Sequence, residues 1–529
     1  MVYRSVILFI IPLLLSAQVD TAWVRKYNGP SNASDRAEDL VLDKSGNIYV
    51  TGTSISYVTA DDYATIKYFP NGDTAWVRRY NGPGDETDWA TDMAIDTAGN
   101  VYITGWSLGL TGGGDYATIK YYPNGDTAWV RRYNAPWNHM DYACAVAVDI
   151  PGNVYVTGES QDSTGINDIA TIKYFPNGDM VWAKRYSGPA GEDDGARTLA
   201  VDNAGYVYVA GYSRFDQLYC ANLTIKYDSN GDTVWTRRYG GYWPESAGDI
   251  HCDYAGNVYV TGWSFYDYAT IKYYPNGDTA WVRRYNGPDN GMDIAKRLVL
   301  DDSGNVYVTG YSSGSGTGAD IATLKYNPSG SLVWVSRYNG PGNDHDDGSD
   351  IVLDNDHCIY VAGCSFGTGT DRDFTTIKYY PNGDTAWIRK YIGAEDGSDL
   401  ARAIAVNDSG AVYVTGEVWG TASVYSDYMT IKYVPTTGIK EQEVNGPPNG
   451  ALGFEILPNP ANDYFTVRVS RSVGDPAVTI YDICGKKVKE FSGNLQKKEI
   501  RVSLTGIDPG VYFVRLNNGS IFKKIIVIE

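Results

Sequence analysis

Residues 73–83 read DTAWVRRYNGP, and near copies of this stretch recur along most of the chain. Each copy carries a tryptophan at its fourth position. These in-register tryptophans are Trp23, Trp76, Trp129, Trp182, Trp235, Trp281, Trp334 and Trp387. Successive intervals are 53 residues, except for one of 46 residues between Trp235 and Trp281. A fixed period of this length, with several strand signals in each unit, is typical of a β-propeller.

The second unit shows the pattern within one repeat. Strands are predicted over residues 91–96, 101–105, 117–121 and 129–133. Tight turns separate the first strand from the second and the third from the fourth, and a glycine in each supplies the positive φ that such turns require. Four consecutive antiparallel strands make one propeller blade.

The two ends of the array are out of phase. Trp23 belongs to a fourth strand with no three strands before it, and the last unit, residues 401–434, has three strands and no fourth. The N-terminal strand is therefore expected to complete the last blade, which gives an all-β ring of eight blades without exposed sheet edges at the closure.

The repeated motif DxxGNVYVTG, followed by TIKYYPNGD, resembles the bacterial β-propeller repeat family called SBBP, a relative of the NHL-type repeats. The resemblance covers about residues 18–436. It implies that the strand before DxxGN is innermost and that WVRRY lies at the rim. The family has no assigned chemistry, so the resemblance implies a fold and no mechanism.

The connections within and between repeats fall into two classes. The DxxGN and PNGD turns are nearly constant, whereas the other two connections vary in length and composition. Because alternate connections of an up-and-down blade lie on the same side, the ring has a constant face and a variable face. Variable loops on a rigid scaffold are where function is usually found.

The N-terminus has the features of a secretory signal peptide, assigned to residues 1–17. Arg4 precedes an apolar run over residues 6–15, which is too short to span a bilayer. No other segment is long and apolar enough for a membrane helix, so no membrane insertion of the mature chain is expected. The propeller is assigned to residues 18–435.

Residues 436–454 are polar and rich in Gly and Pro, and are assigned as a linker. Residues 455–529 alternate like the strands of a small Ig-like β-sandwich. This segment resembles the C-terminal sorting domain of type IX secretion substrates in its LPNP, VTIYD and PGVY motifs. The sorting-motif residues that carry the resemblance are Pro458, Asn459, Pro460, Gly510 and Tyr512.

The resemblance implies export through the outer membrane of Bacteroidetes-type bacteria, with the type IX secretion machinery as a partner. The product would be secreted or attached to the outer-membrane surface. An ordinary Ig-like adhesion module with a structural role is the alternative.

Charge argues against polyanionic partners. The formal net charge is −19, and the basic residues are dispersed through the strands. Nucleic-acid and anionic-membrane surfaces need clustered Lys and Arg, so no nucleic-acid partner is expected.

Carboxylates recur at the start of each inner strand. Seven of these positions are candidate Ca²⁺ ligands, because Ca²⁺ takes six to eight oxygens: Asp35, Asp88, Asp141, Asp194, Asp293, Asp346 and Asp399. Glu245 is the eighth member, and a second aspartate set precedes the third strands. The alternative is that each carboxylate accepts hydrogen bonds from loop N–H groups. No other cofactor is expected.

Six tryptophans fall outside the repeat register, in or beside the variable connections. These ligand-binding candidates are Trp89, Trp106, Trp137, Trp243, Trp263 and Trp419. Large rigid aromatic groups suit sugar rings or a protein partner. Trp106 and Trp263 are the strongest candidates, since their repeat position changes freely between blades. Local loop packing is the alternative.

Catalytic signatures are scarce. The four histidines occupy different repeat positions, and neither G-x-S-x-G nor H-E-x-x-H occurs. We therefore expect a binding module for a glycan or protein rather than an enzyme. A secreted polysaccharide hydrolase or lyase, and a structural envelope protein without a ligand, are the alternatives. The cysteines are expected to be unpaired thiols, although Cys144 and Cys220, predicted in loops of one face, could pair.

Overall fold

A computed structural model describes residues 19–110, 113–216, 218–243, 245–393, 397–419 and 425–435. In the C-terminal part it describes residues 454–457, 461, 463–469, 477–481, 487–492, 499–507, 510–516 and 522–527. The chain divides into two compact units, one over Thr21–Tyr433 and one that holds the C-terminal strands. Across these described ranges, no helix has the length and apolar character needed to cross a membrane.

The first unit contains eight four-stranded sheets, and each is a blade. The first strands of blades 1 to 8 are β2 (Asp35–Leu42), β6 (Asp88–Ile95), β10 (Asp141–Val148), β14 (Asp194–Val201), β18 (Ser246–Cys252), β22 (Asp293–Leu300), β26 (Asp347–Leu353) and β30 (Leu400–Val406). The second strands are β3 (Ile48–Ser56), β7 (Val101–Leu108), β11 (Val154–Gln161), β15 (Val207–Arg214), β19 (Val258–Ser264), β23 (Val306–Gly314), β27 (Ile359–Phe366) and β31 (Val412–Trp419).

The third strands are β4 (Ala60–Tyr68), β8 (Gly114–Tyr121), β12 (Asn167–Tyr174), β16 (Cys220–Tyr227), β20 (Asp267–Tyr273), β24 (Gly318–Tyr326), β28 (Arg372–Tyr379) and β32 (Ser426–Pro435). The fourth strands are β5 (Thr74–Tyr80), β9 (Thr127–Tyr133), β13 (Met180–Tyr186), β17 (Thr233–Trp243), β21 (Thr279–Tyr285), β25 (Leu332–Tyr338), β29 (Thr385–Tyr391) and, for blade 8, β1 (Val19–Tyr27).

The ring closes as the sequence predicts. β1 pairs with β32 to complete the sheet β1-β32-β31-β30, so strands from both ends of the propeller segment share blade 8. Each first strand packs against the first strands of both neighbouring blades. The strand before DxxGN is therefore innermost, and the eight-bladed all-β ring is confirmed.

Strand starts differ from the prediction because every inner strand carries a β-bulge. In β6 the register with β7 shifts between Ala90 and Asp92, and the strand begins at Asp88 rather than at residue 91. A bulge breaks the two-residue alternation on which strand prediction depends. Consequently, most of the inner-strand aspartates are first residues of their strands. The second aspartate set lies inside the third strands; Asp62 in β4 is one example.

The cysteine positions need the same correction. Cys144 lies within β10 and Cys220 begins β16, so neither lies in a loop. None of the five cysteines in the described part of the propeller forms a disulfide. Strand pairing, and not loop conformation, therefore fixes where Cys144 and Cys220 lie.

The in-register tryptophans connect neighbouring blades. Trp76 in blade 1 is buried against Tyr121 of blade 2, and its indole N–H donates to the carbonyl of Pro123 at 3.2 Å. The turn glycine Gly125 has a φ of +87° and approaches the Trp76 ring so closely that a Cβ would lie 2.9 Å from it. Burial of one such side chain stabilises an interface by about 3 kcal/mol, so this repeated contact explains the fixed tryptophan period.

The C-terminal strands form two sheets. These strands are β33 (Phe454–Leu457), β34 (Tyr464–Val469), β35 (Ala477–Tyr481), β36 (Lys487–Ser492), β37 (Glu499–Ser503), β38 (Gly510–Leu516) and β39 (Phe522–Val527). The sheet orders are β33-β34-β37 and β36-β35-β38-β39, and both contribute to one core around Phe465 and Val514. The Ig-like topology stays a prediction.

Some sequence assignments lie outside the described residues. These are the signal segment 1–17, nearly all of the linker 436–454, and Pro458, Asn459 and Pro460. Gly510 begins β38, and Tyr512 in the same strand packs against the core of the C-terminal sheets.

Candidate binding site at the variable-face mouth of the channel

In each blade, one residue of the first strand pairs with one residue of the second strand near the variable face. We call the sixteen residues at these positions the mouth ring. No two blades carry the same pair, although the surrounding strands repeat. In blade order the pairs are Arg36–Thr53, Trp89–Trp106, Tyr142–Glu159, Gly195–Tyr212, Ser246–Trp263, Ile294–Tyr311, Asp347–Cys364 and Leu400–Glu417.

An aromatic cluster occupies the mouth ring in blades 2 and 3. The rings of Trp89 and Trp106 stack with centroids 6.5 Å apart and an interplanar angle of 30°. Trp106 also meets Tyr142 of blade 3 edge-on at 5.4 Å. The guanidinium of Arg36 in blade 1 lies 5.5 Å from the Trp89 ring centroid. All four side chains are partly exposed, so they form a preassembled aromatic surface open to a ligand.

Local strand geometry positions this cluster. Trp89 directly precedes Ala90, which is buried against blade 1, so the two side chains lie on opposite faces of β6. Direct pairing with Trp106 places both indoles on the same face of the sheet. The cluster is thus a consequence of the β6–β7 register.

Ion pairs continue the mouth ring on the blade 8 side. Arg402 binds Glu417 at 2.7 Å, and Arg36 lies 2.6 Å from Glu38 and 3.8 Å from Glu417. Burial raises the pKa of Glu38, while Arg36 and Arg402 act in the opposite direction. Arg36 therefore joins this balanced charge cluster to the aromatic cluster.

Polar contacts also line the part of the mouth ring that lies at blades 3 and 4. The hydroxyl of Tyr212 donates to Glu159 at 3.2 Å, and Arg197 lies 3.5 Å from the same carboxylate. Burial raises the pKa of Glu159, and Arg197 lowers it. Hydrogen-bonding groups are thus present next to the aromatic cluster.

The remaining tryptophan candidates lie apart from this cluster. Trp137 sits in the loop between blades 2 and 3, where Arg185 stacks on its ring at 5.1 Å. Trp263 holds the equivalent mouth-ring position in blade 5, and Trp419 ends β31 in blade 8 with a side chain that is 37% exposed. Trp243 ends β17. Of the six candidates, the structure brings Trp89 and Trp106 into contact.

The inner-strand aspartates are each buried in their own blade. Asp35 accepts the backbone N–H of Gly29 at 2.6 Å, and Asp399 accepts those of Gly393 at 2.6 Å and Trp419 at 3.2 Å. The same bond to the residue six positions earlier occurs in five of the other six blades, at Asp88, Asp141, Asp194, Asp293 and Asp346. Burial raises the pKa of Asp35 and Asp399 to about 6.

The Ca²⁺ role of these carboxylates stays a prediction. Among the described residues, no group of three or more His, Cys, Asp or Glu side chains is arranged to hold a metal ion. A Ca²⁺ ion needs several converging oxygens, whereas each of these aspartates supports its own loop. The third-strand aspartates are likewise engaged; Asp62, for example, pairs with Arg79 at 2.7 Å.

A charged level of the central channel was not anticipated from the sequence. The position after each inner-strand bulge carries Asp39, Asp92, Asp249 and Asp350 in four blades and Arg297 in another. Asp92 accepts the N–H of Val146 in the next blade at 2.7 Å, and Asp350 accepts that of Ile404 at 2.9 Å. The sequence feature that could have identified this charged level is an aspartate directly before a buried apolar residue.

Burial governs the electrostatics of this level. Burial raises the pKa of Asp92 to about 6 and that of Asp350 to about 7, and Arg297 opposes both shifts. For Arg297, burial lowers the pKa, but Asp249, Asp350, Asp92 and Asp39 together raise it above its ordinary value. The Arg297 side chain is nevertheless exposed to solvent. These groups thus face one another in a wet interior.

Comparisons with known proteins agree with both parts of the fold. A family model for a β-propeller repeat matches residues 23–58, 75–110, 128–163 and 280–316. A model for a secretion system C-terminal sorting domain matches residues 455–529. The chain therefore carries SBBP β-propeller repeats and a type IX sorting domain. Such a domain implies export to the cell surface or the medium. No curated protein matches the chain.

Similar solved structures are distant. A protein of unknown function from Bacteroides caccae is 14% identical, with 53% of this chain and 93% of that one covered and a TM-score of 0.31. A Lactobacillus plantarum protein is 13% identical, with 58% and 86% covered and a TM-score of 0.39. A fungal alcohol oxidase of the AA5 family, in complex with copper, is 12% identical, with 97% and 100% covered and a TM-score of 0.40. These likenesses carry no argument about activity.

Proposed function

We propose that this exported β-propeller is a binding module and that the mouth-ring aromatic cluster is its ligand site. The observation that carries the proposal is the contact among Trp89, Trp106 and Tyr142. The fold does not require these residues, because equivalent blades carry Thr53, Glu159 or Cys364 at the Trp106 position. Aromatic groups that the scaffold does not need, partly exposed on the variable face, are characteristic of a recognition surface.

The ligand class that suits this surface best is a glycan. Sugar rings present apolar faces that stack on indoles and hydroxyls that need hydrogen-bond partners. The cluster supplies the stacking surfaces, and Arg36 and Glu159 supply polar groups nearby. A protein ligand is the alternative, since the same aromatic groups serve as anchors in protein interfaces.

The site for this ligand would be displayed outside the cell. The sorting domain implies export, and we propose that the propeller acts either free in the medium or attached to the outer-membrane surface. No arrangement among the described residues favours the hydrolase or lyase alternative, and we assign no catalytic group.

A glycan array probed with the chain from residue 18 onward tests the proposal. The Trp89→Ala/Trp106→Ala double variant should lose binding to the glycan that the unsubstituted chain retains most strongly. Trp419→Ala is the matched control, because Trp419 is also an off-register tryptophan of the variable face. Retained binding by the double variant, or binding to no glycan at all, would refute the glycan assignment.

A further inference from the structure

The constant face carries a set of exposed aromatic residues that the proposed function does not use. Phe69, Tyr122, Phe175 and Tyr274 are 47%, 48%, 49% and 51% exposed, respectively. Each directly precedes the proline of a PNGD turn, and Tyr380 holds the same position in blade 7. We call these five residues the crown aromatics. They occur in blades 1, 2, 3, 5 and 7.

The turn does not need an aromatic residue at this position. Blade 4 carries Asp228 there, and its carboxylate accepts the N–H of Asn230 at 2.9 Å. Blade 6 carries Asn327, whose side chain accepts the N–H of Ser329 at 3.1 Å. Both residues stabilise their turns by a local side-chain hydrogen bond. The crown blades carry an aromatic ring at this position instead, and the rings of Phe69, Tyr122, Phe175 and Tyr274 are about half exposed to water, which the turn itself does not require.

In the crown blades the turn is stabilised by another residue. Asn71 accepts the N–H of Asp73 at 3.0 Å and donates to the Asp73 carboxylate at 2.8 Å. The same two contacts recur in blades 2, 3, 5 and 7. Each crown turn therefore presents an aromatic ring beside an exposed amide and an exposed carboxylate.

A concave surface lies next to one of these turns. A groove of about 480 Å³ runs between blades 1 and 2 on the constant face. Asp43, Ser45 and Asn47 of blade 1 and Thr97 of blade 2 line it, together with Pro123, the residue after Tyr122. Polar side chains and one crown turn thus border the same depression.

We propose that the constant face is a second, multivalent binding surface for a neutral polysaccharide, with one weak subsite at each crown turn. A ring for stacking next to an amide and a carboxylate matches the apolar face and hydroxyls of a sugar. A polymer of repeated units can occupy several identical subsites at once. This proposal does not depend on the variable-face site.

Other ligand classes suit the crown less well. The crown aromatics belong to separate blades and alternate with polar turns, whereas a protein partner generally requires a continuous interface of more than about 1,000 Å². Every subsite carries an aspartate, and the net charge of the chain is −19. Polyanions such as acidic polysaccharides or nucleic acids would be repelled.

Substitution by the residue of blade 6 gives a sharp test. The fivefold variant Phe69→Asn, Tyr122→Asn, Phe175→Asn, Tyr274→Asn and Tyr380→Asn copies the turn that Asn327 already stabilises. The full chain from residue 18 onward would be tested by pull-down on cellulose, chitin and xylan and by affinity electrophoresis in laminarin. Tyr254→Asn is the matched control, because Tyr254 is 92% exposed on the constant face and lies outside the crown.

Retention by at least one polysaccharide is expected, with at least about a tenfold loss in the fivefold variant, because several linked weak sites are lost together. A variant of two crown positions should show an intermediate loss. Tyr254→Asn should bind as the unsubstituted chain does. Unchanged retention by the fivefold variant with an unchanged melting temperature, or no retention by any of the four polysaccharides, would overturn the proposal. A loss caused by Trp89→Ala/Trp106→Ala alone would assign the binding to the variable face.

Discussion

Replacement of Arg297 by methionine should destabilise the propeller much more at pH 8 than at pH 5. Arg297 interacts with Asp249, Asp350, Asp92 and Asp39 around the central channel. Methionine keeps much of the aliphatic stem and removes the charge. Burial already raises the pKa of Asp350 to about 7 and that of Asp92 to about 6, and Arg297 limits both shifts.

The sign of the pH dependence follows from these raised values. An aspartate with a raised pKa in the folded state stabilises the fold fully only below its unfolded pKa, near 3.8. That contribution is lost as the pH rises through the folded pKa. Without Arg297 the folded values rise further, so the loss continues to higher pH. One further pKa unit at each of Asp92 and Asp350 corresponds to about 3 kcal/mol in total.

Solvent in the channel reduces this figure. An exposed ion pair contributes about 0–1 kcal/mol, and removal of one partner from a buried pair costs about 3–5 kcal/mol. We therefore expect Arg297→Met to lower the free energy of unfolding by about 0.5 kcal/mol at pH 5 and about 2 kcal/mol at pH 8.

Urea unfolding, followed by tryptophan fluorescence at both pH values, measures the difference. Lys44→Met, at an exposed lysine of the constant face, is the control and should change stability equally little at both. An equal loss for Arg297→Met at pH 5 and pH 8 would show that the channel carboxylates do not respond to Arg297.

Three further predictions test the scaffold. Gly125→Ala should destabilise by about 1–3 kcal/mol more than Gly165→Ala, since both glycines have a positive φ but only Gly125 contacts Trp76; equal melting temperatures would contradict the tryptophan contact. Asp88→Ala should cost about 1–3 kcal/mol because the Gly82 N–H loses its acceptor, and thermal melts should give the same cost in Ca²⁺ and in chelator; a Ca²⁺-dependent rise in melting temperature that Asp88→Ala abolishes would instead support a metal site. A chain that begins at residue 28 lacks β1 and exposes the β32 edge, so size-exclusion chromatography should show aggregation; a stable monomer would contradict closure by β1.

Repeats made the fold predictable. The tryptophan period fixed the blade count because each Trp packs on the next blade's turn, as Trp76 does on Gly125. The strand starts were not predictable to the residue, since the bulge at Thr91 interrupts the alternation that marks a strand. The second aspartate set was displaced into the third strands for a related reason: those strands extend further towards the variable face than their apolar runs.

The sequence predicted which aromatic residues belong to the site, but it did not predict that they contact one another. The off-register position marked Trp89 and Trp106 as unusual, yet their contact depends on a register that the bulge shifts. Arg36 and Tyr142 join them from blades 1 and 3, about one repeat away in sequence, and no local pattern connects residues at that distance. The channel aspartates escaped notice because acidic residues are common throughout the chain.

Isothermal titration of the chain from residue 18 onward with the strongest glycan from the array tests the central claim most directly. The account predicts that Trp106→Ala weakens binding by at least about tenfold, the effect of losing one anchor of roughly 1.4 kcal/mol or more. Trp419→Ala should bind within about twofold of the unsubstituted chain. Unchanged affinity in Trp106→Ala, with its melting temperature preserved, would contradict a ligand site at the mouth-ring aromatic cluster.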